Sequence, residues 1–344
     1  MRTATVTRFG GPEVFAIVEH PDPVPEEGQV LIDVEVADTL WLEAMVRSGA
    51  GQDYWPMRPP YVPGNGVAGT VIETGDGVDQ ALTGQRVVAH TGSENGYADR
   101  AVVAAAAVST VPDALDLRTA AALLHDGPTA LRLFDVTKAG PGDAVLVVGA
   151  SGGLGVLSVQ LARARCARVV AAARAPKLPR LAALEPDAVI DTDQLDWLDR
   201  ARAALGGSVL GGSAVGSSAL SGSAPGGGAD VVLDNVGGDL GEASFALVTE
   251  AGGRFSGHGT PSGRFAQIDR GQAARRGITV TGIEAVQMPP DVLKRYTEQA
   301  LAEAAEGTIA PVIGQAFLLE RAADAHAAIE GRAIFGKTLL LTRA

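Results

Sequence analysis

Cysteine is almost absent: Cys166 is the one thiol in 344 residues. A lone thiol closes no internal disulfide and cannot by itself build a multi-thiolate metal site. Positive charge is also short, with 28 Lys and Arg against 40 Asp and Glu and a formal net charge of −12. That balance disfavours nucleic acid and anionic membrane surfaces as partners, because both present phosphate negative charge. No stretch reaches the ~18 uninterrupted apolar residues that a membrane-spanning helix needs. The first ten residues carry Arg2 and Arg8 but no apolar signal region. The expectation is a soluble, cytoplasmic, disulfide-free protein. With 46% hydrophobic and 20% charged residues the chain has a globular profile. Its length fits two domains at ~150 residues each.

Glycine, by contrast, is abundant, at 44 residues. Part of the excess lies in residues 206–228, which hold nine Gly, six Ser and no charge. This composition cannot bury enough apolar surface to offset its ordering entropy, so a flexible surface loop is expected there. The first ~120 residues read as short strands, among them 30–36 and 69–73, punctuated by Gly and Pro, which suggests a barrel or sandwich. From residue 119 the texture changes. A helix starts at 128–134, and Ala144-Val145-Leu146-Val147-Val148 is an apolar run suited to a fully buried parallel strand. A helix over 153–166, a strand over 168–173, another helix, Val189-Ile190, a strand over 230–234 and one at 253–255 follow in alternation. Alternating elements of this kind indicate a doubly wound parallel sheet. The end of the chain carries a helix over 290–306 and a strand over 338–342.

The buried strand runs into Gly149-Ala150-Ser151-Gly152-Gly153-Leu154-Gly155, where the helix begins. Strand, glycine turn and helix N-terminus in that order meet the needs of a pyrophosphate: close backbone approach, unpaired N–H groups and the positive end of the helix dipole. An NAD site would place a carboxylate at the end of the next strand. Here that strand ends at Arg174, with Lys177 close by and no acid until Glu185. Two cations where a 2′-phosphate would lie favour NADPH.

With these motifs in place, the chain resembles the zinc-independent quinone oxidoreductases of the medium-chain dehydrogenase/reductase superfamily, the zeta-crystallin-like branch. The resemblance covers nearly the whole length. It is carried by Arg47-Ser48-Gly49, Pro60-Tyr61-Val62-Pro63-Gly64, Val67-Ala68-Gly69, Gly84-Gln85-Arg86-Val87 and Gly96-Tyr97-Ala98-Asp99. Further on it rests on Gly127-Pro128-Thr129-Ala130, the 149–155 loop with Gln160, Asp234-Asn235-Val236-Gly237-Gly238, Gly252-Gly253-Arg254 and Gly336-Lys337. It implies an α/β chain: a GroES-like β-barrel substrate domain from 1–120 and 288–344, and a Rossmann NADP-binding domain from 121–287. It also implies a homodimer paired through an edge strand near 278–282. By position it assigns cofactor contacts to Thr129, Ser151, Gly152, Gly153, Leu154, Arg174, Lys177, Asn235, Val236 and Lys337.

The zinc-dependent relatives need Cys and His ligands around an open metal position. This chain has Asp38 where the early cysteine would fall and Gly64-Asn65-Gly66 where Gly-His-Glu would fall. The five histidines (His20, His90, His125, His258, His326) show no i, i+4 ligand spacing, so no metal is expected. Hydride addition to a plain ketone develops a full alkoxide that a metal or strong acid must stabilise. A quinone or enone spreads that charge by conjugation, which makes a small conjugated carbonyl compound the expected substrate. Three positions depart from the relatives: Leu40 for an Asn, Gly66 for an acid and Met45 for a Tyr. The polar groups left as catalytic candidates are Asn65, Tyr54 and His125, while Trp41 and Trp55 could stack on an aromatic substrate or serve as core or rim. Two other readings stay open: a pathway-specific reductase or cyclase acting on a bulky aromatic or polyketide-like intermediate, and an NADPH-binding protein of structural or regulatory role.

Overall fold

The computed structural model describes residues 1–52, 55–92, 94–166, 168–206 and 227–343. Tyr54 and all but three residues of the expected 206–228 loop lie outside this set. The chain divides into two compact units, Met1–Pro128 with Pro289–Ala344, and Thr129–Met288. It starts with β1 (Arg2–Val6), β2 (Phe15–Glu19), β3 (Gln29–Asp38), β4 (Gly66–Thr74), β5 (Arg86–His90), β6 (Arg100–Ala104) and β7 (Val108–Thr110). The second unit holds β8 (Ala144–Val148), β9 (Arg168–Ala173), β10 (Ala188–Asp191), β11 (Val231–Asp234), β12 (Arg254–Gly257) and β13 (Thr279–Thr281). The chain then returns to the first unit for β14 (Ile313–Leu318) and β15 (Lys337–Leu341).

In the first unit seven strands form one sheet, ordered β14–β15–β3–β4–β5–β7 with β6 on the other part of β3; β1 and β2 form a separate hairpin. All pairs in the large sheet are antiparallel except β14 with β15. β3 explains much of this unit. Its branched residues Val30, Ile32 and Val34 point into a core with Val67, Val71 and Val87, as alternation on a half-buried strand requires. Register shifts at Leu31/Ile32 and Val34/Val36 bend the strand. Beyond the second shift its last three residues are all buried, and so the carboxylate of Asp38 is carried inside.

The expected domain border at 120/121 falls instead at 128/129. The reason is the helix Leu117–Leu123, whose face of Ala120, Ala121 and Leu123 is buried and packs on β3, β4, β5 and β15. Burial of that face ties the segment to the first sheet and not to the second.

The second unit is a six-stranded, all-parallel sheet in the order β10–β9–β8–β11–β12–β13. With β8 as its first strand this is the 3-2-1-4-5-6 order of a dinucleotide fold. Every residue of β8 is buried, as its unbroken apolar run predicts. β13 lies at the sheet edge. Among the described residues no helix is long and apolar enough to cross a membrane.

Leu146, fully buried at the middle of β8, tests this core. Leu146→Ala should lower unfolding free energy by about 3 kcal/mol, from lost transfer energy plus the cavity left behind. A urea midpoint that does not move would show that the centre of the sheet is not packed as described.

Candidate active site

The glycine turn leaves β8 at Gly149, whose φ of +71° only glycine adopts without strain. A Cβ there would lie 2.6 Å from Val236 Cγ2 and 3.3 Å from Asn235 Cβ. The missing side chain therefore lets the turn after β8 close against Asn235 and Val236 in the turn after β11. The helix Gly153–Arg165 begins with Gly152 as N-cap and has no side-chain cap. A Cβ on Gly152 would meet nothing nearer than 3.8 Å. With no side chain capping it, the first helical turn leaves backbone N–H groups for an anion, as a pyrophosphate requires.

Asn235 is a strap more than a free ligand. Its Nδ2 donates to Val148 O at 2.9 Å, and its Oδ1 faces His258 Nε2 at 2.8 Å, with Ser256 Oγ 3.1 Å from the other ring nitrogen. Burial pushes His258 down to about 4, so it is neutral and holds the Asn235 amide in one orientation. At the end of β9 the Arg174 Nε donates to Asp193 at 3.1 Å, and the Ala175 N–H donates to the same carboxylate at 3.3 Å. The sequence reading missed this acid, because Asp193 comes from the turn after β10 and not from β9. Lys177 is half-buried on the turn Ala175–Lys177, and Thr129 is half-buried within the helix Asp126–Thr137.

The first unit contains a chain of buried polar groups. Lys337 Nζ lies 2.8 Å from Asp38 Oδ1 and 3.2 Å from Asp126 Oδ2, and its side chain is 6% exposed. The expectation gave Lys337 to the cofactor; the structure gives it two carboxylates, as a nearly fully buried ammonium requires. The other Asp38 oxygen accepts from His125 Nδ1 at 2.6 Å. His125 Nε2 lies 3.3 Å from His90 Nδ1, and His90 Nε2 lies 3.4 Å from Thr297 Oγ1.

Burial raises Asp38, but Lys337 and His125 outweigh it and hold the carboxyl below its ordinary value. Burial lowers Lys337, yet Asp126 and Asp38 outweigh it and hold the ammonium well above its own. At Asp126 burial prevails over Lys337, so that carboxyl is raised. His90 is pushed down to about 3, first by burial and then by His125.

A second network fixes Asn65. Glu43 Oε1 accepts from both the backbone N and Nδ2 of Asn65, at 2.9 and 3.0 Å. Its Oε2 accepts from Leu40 N at 2.9 Å and from Tyr97 OH at 2.6 Å. His326 Nε2 lies 3.1 Å from the same hydroxyl. Since Tyr97 donates to the carboxylate, His326 Nε2–H donates to Tyr97, which leaves its buried Nδ1 bare. Burial holds His326 down at about 3, in accord with that neutral form. Glu43 stands three residues after Leu40, at the third position of the helix Trp41–Arg47, where a glutamate commonly reaches back to the helix start; that spacing was the available signal.

Gly66 has a spatial reason. A Cβ at this position would overlap Leu124 Cδ2 and lie 2.9 Å from His125 Cε1. Leu124 and His125 together occupy the space that a side chain at 66 would need. Of the sequence-predicted catalytic candidates, Asn65 and His125 both sit in the first unit's polar networks.

Residues 26–113 match the alcohol dehydrogenase GroES-like domain family, and residues 212–340 match the zinc-binding dehydrogenase family. The quinone oxidoreductase of Mus musculus is 30% identical over 348 residues, spanning 99% of this chain and 98% of the mouse protein. A solved NAD-dependent alcohol dehydrogenase superposes with a TM-score of 0.84 at 28% identity over 100% of both chains. A mycobacterial protein solved in complex with NADPH gives 0.83 at 27% over 99% of both. The fold and the glycine turn define a medium-chain dehydrogenase/reductase. Within that superfamily the chain belongs to the quinone oxidoreductase family. Both Asp38 oxygens are engaged, one by Lys337 and the other by His125, and among the described residues no three His, Cys, Asp or Glu side chains gather into a group that could hold a metal ion.

Two outcomes follow from this electrostatic arrangement. Lys337→Met leaves two buried carboxylates without their cation and should cost about 3 kcal/mol or more in denaturant unfolding, whereas an unchanged stability would mean that the ammonium is not paired. In the folded protein His90, His258 and His326 should remain neutral from pH 8 to 5 by imidazole NMR; a midpoint near 6.5 for any of them would contradict its burial. The sign follows from linkage. Each contributes stability that is complete above pH 6.5 and is lost as the pH falls toward 4 to 3. Glu43, Asp126 and Asp234, all raised by burial, act in the opposite direction and destabilise as the pH climbs past ordinary carboxylate values.

Proposed function

We propose that this oxidoreductase uses NADPH, without a metal, to reduce a conjugated carbonyl acceptor, a quinone or an enone. The observation that carries the cofactor assignment is the uncapped helix start at Gly152, set between a fully buried strand and the Asn235–Val236 turn. When bound, NADPH supplies the hydride. The N–H groups of Gly153 and Leu154 bind the pyrophosphate, and Arg174, oriented through its Nε by Asp193, offers a planar cation to the 2′-phosphate. Asp193 adds a negative charge near that phosphate, but its ion pair with Arg174 offsets it.

The acceptor class follows from which groups can meet developing negative charge. Asn65, locked by Glu43, keeps a second N–H to donate to an acceptor oxygen, and the His125 ring is held in place by the bond of its Nδ1 to Asp38. Hydrogen-bonding groups of this kind match the spread charge of a reduced quinone or enone better than the localised charge of a simple alkoxide. The polarity lost at Gly66 is supplied here by His125, which favours turnover over a purely structural role.

The test follows absorbance at the reduced-nicotinamide band with NADPH and NADH, against quinones, enones and saturated aldehydes. Quinone or enone reduction with NADPH is expected, and Arg174→Ala should raise the Michaelis constant for NADPH about tenfold while leaving that for NADH unchanged. Equal effects on both cofactors, or turnover confined to saturated carbonyls, would overturn the reading.

A further inference from the structure

The hydrogen-bond chain through His125 ends at both sides on groups that can only accept. One end is the Asp38 carboxylate, 2.6 Å from His125 Nδ1. The other is the carbonyl of Leu293, to which the Thr297 hydroxyl donates at 2.9 Å within the helix Pro290–Ala305. A hydroxyl has one proton, so Thr297 Oγ1 can only accept from His90 Nε2–H. That leaves His90 Nδ1 as a lone pair, which must accept from His125 Nε2. A neutral imidazole has a single N–H, so a chain of two imidazoles with acceptors at both ends is complete only when one ring carries two protons. Burial keeps that ring from being His90.

We propose that His125 rests as an imidazolium held between Asp38 and His90, a stored proton that it delivers to the acceptor oxygen after hydride transfer, with His90 and Thr297 as positioning residues. The titratable groups around it agree with this: Asp38 from β3, Asp126 next in sequence at the start of the helix Asp126–Thr137, Lys337 from β15 and His90 from β5, with Glu43 behind Asp38. Two carboxylates facing one ammonium leave room for one further positive charge. The His125 side chain is 21% exposed, and its 3.3 Å link to His90 is longer than its bond to Asp38, so Nε2–H is the proton that an incoming oxygen can take. In that step the N–H bond breaks and its electron pair stays on the ring, while an O–H bond forms on the anion left by hydride addition. Solvent then returns one proton to His125.

The delivery step rests on the proposed reductase activity, but the stored proton does not. Nitrogen-15 NMR of histidine-labelled protein, with His125→Gln to assign the resonance, should show both His125 nitrogens protonated at neutral pH. Thr297→Val removes the terminal acceptor while keeping the side-chain shape, and should return His125 to the singly protonated form. It should also lower kcat at pH 7.5 about tenfold, move the alkaline limb of the kcat profile to lower pH and leave the NADPH Michaelis constant unchanged. A singly protonated His125 in the wild type, or a Thr297→Val spectrum equal to the wild type's, overturns the stored proton. A doubly protonated His125 in a protein that reduces no quinone or enone supports the stored proton and overturns the proposed reaction. Activity with an unchanged Thr297→Val pH profile overturns the delivery role alone.

Discussion

The buried ammonium of Lys337 constrains the first unit more than any other single group. An ammonium with a nearly fully buried side chain is tolerable only beside negative charge, and the structure supplies Asp38 from one strand and Asp126 as the first residue of the helix Asp126–Thr137. Each partner is thereby fixed in place: β15 against β3, and the start of the helix Asp126–Thr137 against both. A buried ion pair of this kind contributes little net stability, because desolvation consumes most of the Coulomb attraction. Its effect lies in arrangement. Only with Asp38 charged and held in this way does His125 have a partner for Nδ1, and only then does the sequence of bonds to His90 and Thr297 acquire a direction.

The same arrangement bears on the departures at positions 40 and 66. Viewed along the chain they are losses of polarity. In space they coincide with polarity supplied from elsewhere, since Gly66 is small where the His125 ring needs room and the backbone N–H of Leu40 is one of the donors that hold Glu43. Glu43 in turn orients Asn65 and is closed off by Tyr97 and His326. A carboxylate this deeply buried needs all four of its hydrogen bonds, and the bare Nδ1 of His326 shows the expense of the arrangement: one buried acceptor is left without a donor.

The second unit has a simpler logic. Parallel strands covered on both faces read as continuous apolar runs, so β8, β9 and β11 were visible in the sequence, as was the glycine turn that follows β8. The partners that shape the cofactor surface were not. Asp193 reaches Arg174 from the turn after β10, and His258 reaches Asn235 from the turn after β12. A parallel sheet gathers the C-terminal ends of its strands on one edge, so residues far apart in sequence meet there with no local spacing to announce them.

The sequence by itself determined the order of elements, the dinucleotide turn, the apolar centre of the parallel sheet and the family to which the chain belongs. All of these rest on local pattern: glycine where the backbone must turn tightly, alternation or runs of apolar residues where a strand is half or fully covered. It also singled out Asn65 and His125, each as an isolated polar residue. Only the tertiary structure decided that Lys337 faces carboxylates, that the border between the units lies at 128/129, and that Asp38, His125, His90 and Thr297 form one chain of hydrogen bonds. These four residues span 260 positions of sequence. The force that joins them is the cost of leaving a polar group unpaired once the surrounding apolar residues have excluded water, and that cost exists only after the chain has folded.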